Sequence, residues 1–295
     1  MTDTADWGVA KGVGFTALAA AGLRAVETLR APALFSDPFA AAFVRAASAP
    51  VPIPVTPEAA DGDTTFPWSV TGTYVAVRTR YFDQYMTRAA ADGIGQVVIM
   101  AAGLDTRAFR LEWPPGTTVF ELDAPLVLDF KDSVLAGLDA TPRCARRAVA
   151  ADLREDWPAA LRAAGFDPSR PAAWLAEGLL VYLPDPAKGA LIAAIDDLSA
   201  PGSLLAIEHA PIQSDRAGNA AYRAAGRQAA LNVDIDIDTV WSEDRGYDPV
   251  AWLRNAGWRA DGTPAAAAGQ HYGRPLSPDS PEGMLISLLV TAGKA

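Results

Sequence analysis

The chain is short of cysteine, of basic charge and of long apolar runs, and each shortage removes a class of function. Cys144 is the one cysteine, so neither an intramolecular disulfide framework nor a cysteine zinc cluster can form. No metal site is expected, and a lone cysteine suits a reducing cytoplasm. Lys and Arg number 25 against 35 Asp and Glu, a net charge of −10. That balance argues against a general nucleic-acid binder, because phosphate binding needs clustered Lys and Arg. No apolar run approaches the ~20 residues of a membrane span. The opening MTDTADWGVA has no basic stretch leading into an apolar core, so no signal peptide is expected. A soluble, cytoplasmic protein without nucleic-acid or membrane partners is predicted.

What is present is apolar and ordered in its pattern. Half of the 295 residues are hydrophobic, enough for one large α/β domain with an elaboration or two modest domains. GFTALAAAGLRAVETLR fits an amphipathic helix, and DPFAAAFVRAA a second, with Asp37 as N-cap and Pro38 next. Five prolines between Pro50 and Pro67 predict a loop without regular structure. SVTGTYVAVRTRYFDQYMTRAAADG reads as a long helix ending at Gly93. Strand and helix patterns then alternate. The expected strands are QVVIMA, TTVFEL, ARRAVAA, AAWLAEG, GSLLAIEHA, WRADG and MLISLLVT. Helices are expected over PLVLDFKDSVL, REDWPAALRAAG, DPAKGALIAAIDDLS (Asp185 as N-cap) and DPVAWLRNAG. This order implies a doubly wound, Rossmann-like, mostly parallel sheet. Residues 1–90 are predicted as an N-terminal helical cap and 91–295 as the α/β domain. An inserted segment at about 211–246 precedes the last strands.

In open α/β sheets ligands sit outside the carboxyl ends of the strands. Four successive strands here end in acids: Glu121-Leu122-Asp123, Ala151-Asp152-Leu153, Glu177-Gly178 and Glu208-His209. The loop after the first strand, Ala101-Ala102-Gly103-Leu104-Asp105-Thr106, lacks most of the dinucleotide-binding glycines. A pyrophosphate needs those glycines for close backbone approach, and Asp105 would repel it. Asp123 lies 20 residues beyond Gly103, where an acid grips ribose hydroxyls; the alternative is a helix cap. Asp152 and Leu153 fit an adenine pocket or, again, a cap. A nucleoside ligand without phosphates, such as S-adenosyl-L-methionine, meets these conditions. Its ammonium and sulfonium favour carboxylates, and its carboxylate needs a cation such as Arg78.

AAGLDTRAFRL, FELDAP, ADLREDWP and WLAEGLLVYLP occur in this order, with YVAVRTRYFD before the first strand and LLVTA at the end. The set resembles the leucine carboxyl methyltransferase-like family of S-adenosylmethionine-dependent methyltransferases, from about Thr71 to the C-terminus. The resemblance implies a class I methyltransferase fold of seven strands. It implies ribose binding by Asp123, adenine binding by Asp152 and Leu153, and Gly103 beside the methionine portion in the loop that carries Asp105. Arg78 would meet the methionine carboxylate and Glu177 the amino group. Ala101 stands where the loop's first glycine is expected.

Methyl transfer needs the acceptor held in line with the leaving sulfur. A carboxylate acceptor needs no general base, whereas a hydroxyl is helped by one. His209 is the candidate base, with a structural role as the alternative, and Tyr182 steers the substrate or packs. His271 could line the substrate side. Trp157, Trp174, Trp241, Trp252 and Trp258 read mostly as core. Phe66, Trp68, Tyr74 and Tyr222 are expected to offer aromatic surface to a small-molecule acceptor beneath a lid. The competing readings are a nicotinamide-dependent oxidoreductase and a non-catalytic S-adenosylmethionine-binding protein.

Overall fold

The run QVVIMA is apolar throughout because strand β1 (Gln96–Ile99) is covered on both faces. Val97 and Ile99 face a layer that includes Leu18, Phe43, Phe82 and Met86. Val98 and Met100 face the opposite layer, with Trp157, Trp174, Leu191 and Ile195. The computed structural model describes residues 13–49, 51–63, 66–210, 246–278, 280 and 282–295.

Six further strands complete one sheet: β2 (Thr118–Asp123), β3 (Ala145–Ala150), β4 (Ala172–Ala176), β5 (Leu204–His209), β6 (Trp258–Pro264) and β7 (Leu288–Lys294). Their spatial order is β3-β2-β1-β4-β5-β7-β6. The first five strands run parallel, and β7 is antiparallel to both β5 and β6. The seven-stranded, mostly parallel sheet is therefore as expected. Strand order reverses between β1 and β4, so the crevice outside their carboxyl ends is the topological switch point.

The N-terminal region contributes α1 (Val13–Leu29), α2 (Ala40–Ala46), α3 (Pro57–Gly62) and α4 (Trp68–Ala91). Along α4 the buried Thr71, Val75, Phe82, Met86 and Ala89 recur at helical spacing, forming one stripe against the sheet. Gly93, with φ of +95°, ends that helix in a left-handed turn that a side chain resists. Helices α1 and α4 share one hydrophobic cluster with β1 and β4. After β1 comes the single turn α5 (Arg107–Arg110), then α6 (Pro125–Ala136), α7 (Trp157–Ala163), a 3-10 turn at Leu180–Tyr182 and α8 (Asp185–Asp197). The remaining helices among the described residues are α9 (Pro249–Asn255), α10 (Ala265–His271) and α11 (Glu282–Leu285). No described helix is long and apolar enough to cross a membrane.

Five local expectations are corrected. The proline-rich segment does hold a helix, α3, because Thr56 Oγ1 accepts from Ala59 N and Pro57 fits the first turn. Helix α2 begins after Phe39, not Asp37; both Asp37 oxygens have other partners. Helix α7 starts at Trp157, capped by Asp156. Asp185 lies inside the first turn of α8, after Pro184, and pairs with Lys188 at 2.9 Å. Met284 and Leu285 close a short helix rather than open the last strand. The Asp-Pro start of α9 holds, with Asp248 accepting from Val250 N and Ala251 N. The expected inserted segment, with Tyr222 and Trp241, lies outside the described residues except for Gly246.

Candidate active site

The crevice at the switch point is floored by the loop after β1. Ala102 N donates to Leu122 O at 2.8 Å and so ties the loop to β2. Ala101 and Gly103 both take positive φ, +47° and +49°. Gly103 adopts this freely. Ala101 does so against the clash of its Cβ with backbone. A Cβ on Gly103 would lie 3.6 Å from Ala17 Cβ, so the first turns of α1 rest directly on this loop. The same helix reaches the 3-10 turn after β4, where Tyr182 Oη donates to Thr16 Oγ1 at 2.9 Å.

The β1, β4 and β5 side of the crevice is a network of buried charge. Arg78, on α4, donates through Nη1 to both oxygens of Glu208, at 2.7 and 2.9 Å. Its Nε lies 2.9 Å from Glu177 Oε1 but has no aligned hydrogen-bond acceptor. That approach is a charge contact rather than a hydrogen bond. Burial opposes the charge on Arg78, yet Glu208 and Glu177 outweigh it and raise the guanidinium above its ordinary range. The other Glu177 oxygen lies 2.8 Å from Arg107 Nη1. Arg107 also donates from Nε to Asp83 Oδ1 at 2.8 Å and from Nη1 to Asp105 Oδ2. Its backbone N–H reaches the second Asp105 oxygen at 2.7 Å. Burial alone would lift the Asp105 carboxyl, but the charges of Arg107, Lys131 and Arg110 hold it at about 2. Both Asp105 oxygens thus face Arg107. Arg110 completes the network with a bidentate pair to Asp83 at 2.6 and 2.7 Å.

The β2 and β3 side is held differently. Asp123 Oδ2 accepts from Gly103 N at 2.6 Å, and Oδ1 from Ala124 N at 2.7 Å. Burial pushes this carboxyl up, and the two backbone N–H groups offset the push only in part. Asp152, just beyond β3, is half-buried and grips exposed Arg154, which lowers its carboxyl through that hydrogen bond. Leu153 packs at the edge of the hydrophobic cluster below the sheet.

The remaining sequence candidates scatter. His209 is buried at the end of β5 with its ring 6.3 Å from that of Tyr247. His271 is exposed at the end of α10 beside Tyr272. Trp157, Trp174 and Trp258 are core, as expected, and Trp252 is half-buried. Trp68 and Tyr74 are not open aromatic surface: both are 4% exposed. The Trp68 indole binds Asp63, and the Tyr74 hydroxyl donates to Glu208 Oε1 at 2.6 Å.

Several participants had not been singled out from sequence. Arg24 Nη2 donates to Leu104 O at 2.7 Å, and its Nε to Asp37 Oδ2 at 2.8 Å. Thr106 Oγ1 donates to the same Asp37 oxygen at 2.8 Å. The N-terminal helices therefore build the loop after β1 as well as lying over it. The signal was charge in apolar company: Arg107 and Asp83 sit within buried patterns, and buried charges are paired.

A sheet in this order, with a glycine-bearing loop after β1 and an acid ending β2, has the class I methyltransferase fold. A protein from Streptomyces avermitilis shares it with a TM-score of 0.55 at 17% identity, over 86% of this chain and 96% of that one. A structure from Thermobifida fusca described as a methyltransferase gives 0.50 at 19% identity, over 92% and 94%. The model of the leucine carboxyl methyltransferase family matches residues 17–196. A Rhodococcus jostii protein named as an S-adenosyl-L-methionine-dependent methyltransferase is 45% identical over 284 residues, 96% of this chain and 95% of its own. A Saccharopolyspora erythraea protein of the same name is 44% identical over 292 residues, 99% of each. The chain belongs to the leucine carboxyl methyltransferase family, and it is an S-adenosyl-L-methionine-dependent methyltransferase.

Proposed function

We propose that the chain methylates an oxygen of a small molecule, a carboxylate before a hydroxyl. The observation that carries this is the engagement of four acids around the crevice. Asp105 is taken by Arg107, Asp123 by two backbone N–H groups, Glu177 by two guanidinium groups and Glu208 by Arg78. None of these four is poised as a general base, and a carboxylate acceptor, ionised at neutral pH, requires none. His209 is the candidate base should the acceptor be a hydroxyl. Tyr182, bound to Thr16 of α1, is assigned to substrate orientation beneath the N-terminal helices, which act as a cap.

Bound S-adenosyl-L-methionine supplies a methyl group already activated by the sulfonium. The residues fit it. Arg78 offers Nη2, which donates to none of the described residues, to the methionine carboxylate. Glu177, held by charge contacts rather than aligned hydrogen bonds, keeps acceptor capacity for the ammonium. Asp123 would hold the ribose hydroxyls, and Asp152 with Leu153 the adenine. Gly103 admits close approach, while Asp105 serves from behind by fixing Arg107.

The test is a methyl-labelled cofactor assay against a panel of carboxylic acids and phenols, followed by alkali. A carboxyl ester releases labelled methanol and an aryl ether does not. Alkali-stable product alone overturns carboxyl methylation.

A further inference from the structure

Glu208 was legible only as one more acid at a strand end, and the family motifs quoted above do not include it. Its surroundings are unusually complete. Oε1 accepts from Tyr74 Oη at 2.6 Å and Arg78 Nη1 at 2.7 Å. Oε2 accepts from Arg78 Nη1 at 2.9 Å and from the backbone N–H of Gly178 at 2.6 Å. Tyr74 is held in turn by Ser287 Oγ at 3.1 Å, on the approach to β7. One carboxylate thus joins α4, the exit of β4, the end of β5 and the approach to β7.

The two groups it fixes are those that face the crevice. Nη1 of Arg78 is consumed by Glu208 and Nε is turned towards Glu177, so Nη2 is the nitrogen left to present. That nitrogen lies 4.0 Å from where a Cβ on Gly178 would stand. Gly178 has φ of +63°, a conformation that glycine adopts without steric cost, and its N–H is the one Glu208 holds. The carboxylate therefore sets both the direction of the cation and the turn that follows Glu177.

We propose that Glu208 is a positioning residue of the cofactor site, aiming Arg78 and the Glu177-Gly178 turn at the methionine portion of the cofactor. This rests on the reading of Arg78 given above. A charged group left to choose among rotamers binds less tightly than one fixed in place, because its ordering is charged against binding. The effect is on cofactor affinity, with little on turnover at saturation.

The test measures binding of S-adenosylhomocysteine by calorimetry, and KM for S-adenosylmethionine and kcat, on the full chain. Glu208→Gln is expected to raise the dissociation constant and KM about tenfold, with kcat within about twofold. In an Arg78→Lys background the same change should add only about threefold, through the Gly178 turn alone, since the guanidinium it aims is gone. An undiminished effect in that background, or unaltered binding by Glu208→Gln alone, overturns the assignment. If Arg78→Lys binds like wild type, the reading of Arg78 itself fails, a separate outcome. Should Glu208→Gln not fold, Tyr74→Phe replaces it, removing one donor to Glu208 without stranding a charge. A loss of about threefold is expected, and wild-type binding by that variant overturns the role.

Discussion

The two sides of the crevice solve the same problem with different materials. Towards β1, β4 and β5, acids are clamped by Arg78, Arg107 and Arg110, and most of these side chains are buried. Towards β2 and β3, Asp123 is held by two backbone N–H groups and Asp152 by one exposed arginine. The first arrangement suits a ligand portion that is charged and flexible, because fixed guanidinium groups keep carboxylates ionised and in place. The second suits neutral hydroxyls and an exocyclic amine, where an ionised carboxylate with spare lone pairs is enough. The contrast supports the proposed placement of the zwitterionic methionine portion on one side and the nucleoside on the other.

The largest test of this contrast is stability. Arg107→Ala leaves buried Asp105 with a backbone N–H alone and takes one of two guanidinium partners from Asp83 and from Glu177, and should cost about 3–5 kcal/mol, as for other broken buried pairs. Asp152→Ala should cost under about 1 kcal/mol. Urea denaturation of both variants measures the difference, and comparable losses would erase the distinction. Affinity should run the other way. Asp123→Ala is expected to weaken S-adenosylhomocysteine binding about 10- to 100-fold, read by calorimetry. Unchanged affinity there removes Asp123 from the ribose.

Acid should separate the two sides next. Asp105 has its folded pKa lowered to about 2 from 3.8. Its stabilising contribution is complete above about pH 4 and fades as pH falls towards 2. Asp123 is raised, so its ionisation works against folding, and that penalty is relieved as pH falls towards 3.8. Carboxyl chemical shifts followed by NMR should show Asp123 protonating before Asp105; the reverse order would refute the assigned environments. The smallest effect is expected at the loop itself. Ala101→Gly removes the left-handed strain of about 1–2 kcal/mol but adds unfolded-state freedom of about 0.5–1 kcal/mol. A net gain under about 1 kcal/mol in thermal unfolding is expected, and a loss would mean that the alanine conformation is not strained.

How much was readable in sequence follows the same division. The strands announced themselves because each buried strand is a short apolar run, and Asp123, Asp152, Glu177 and Glu208 stand where those runs stop. Spacing from Gly103 singled out Asp123, which the structure holds against the Gly103 amide. The clamps were not readable in the same way. Arg107 meets Asp83 from another helix and Glu177 from another strand; such pairings arise from chain crossing, which one-dimensional periodicity does not record. Tyr74 looked like available aromatic surface because its residue type permits that; its hydroxyl is instead committed to Glu208. Helix α3 was hidden by the prolines around it. Pro57 stands in the first turn, where its missing N–H costs nothing.

The place of β7 between β5 and β6 has a consequence for how the chain is made. During synthesis, β1 to β5 emerge in an order that lets neighbours pair as they appear. Strand β6 emerges before its partner among the described strands, which follows it by more than twenty residues. Without residues 288–294 the edge of β5 and strand β6 both lack the partner that joins them, the condition under which incomplete sheets aggregate. Those residues, with Ser287 seated against Tyr74, close the sheet from both sides at once. A chain cut before Leu288 should aggregate where one that runs through Lys294 stays in solution.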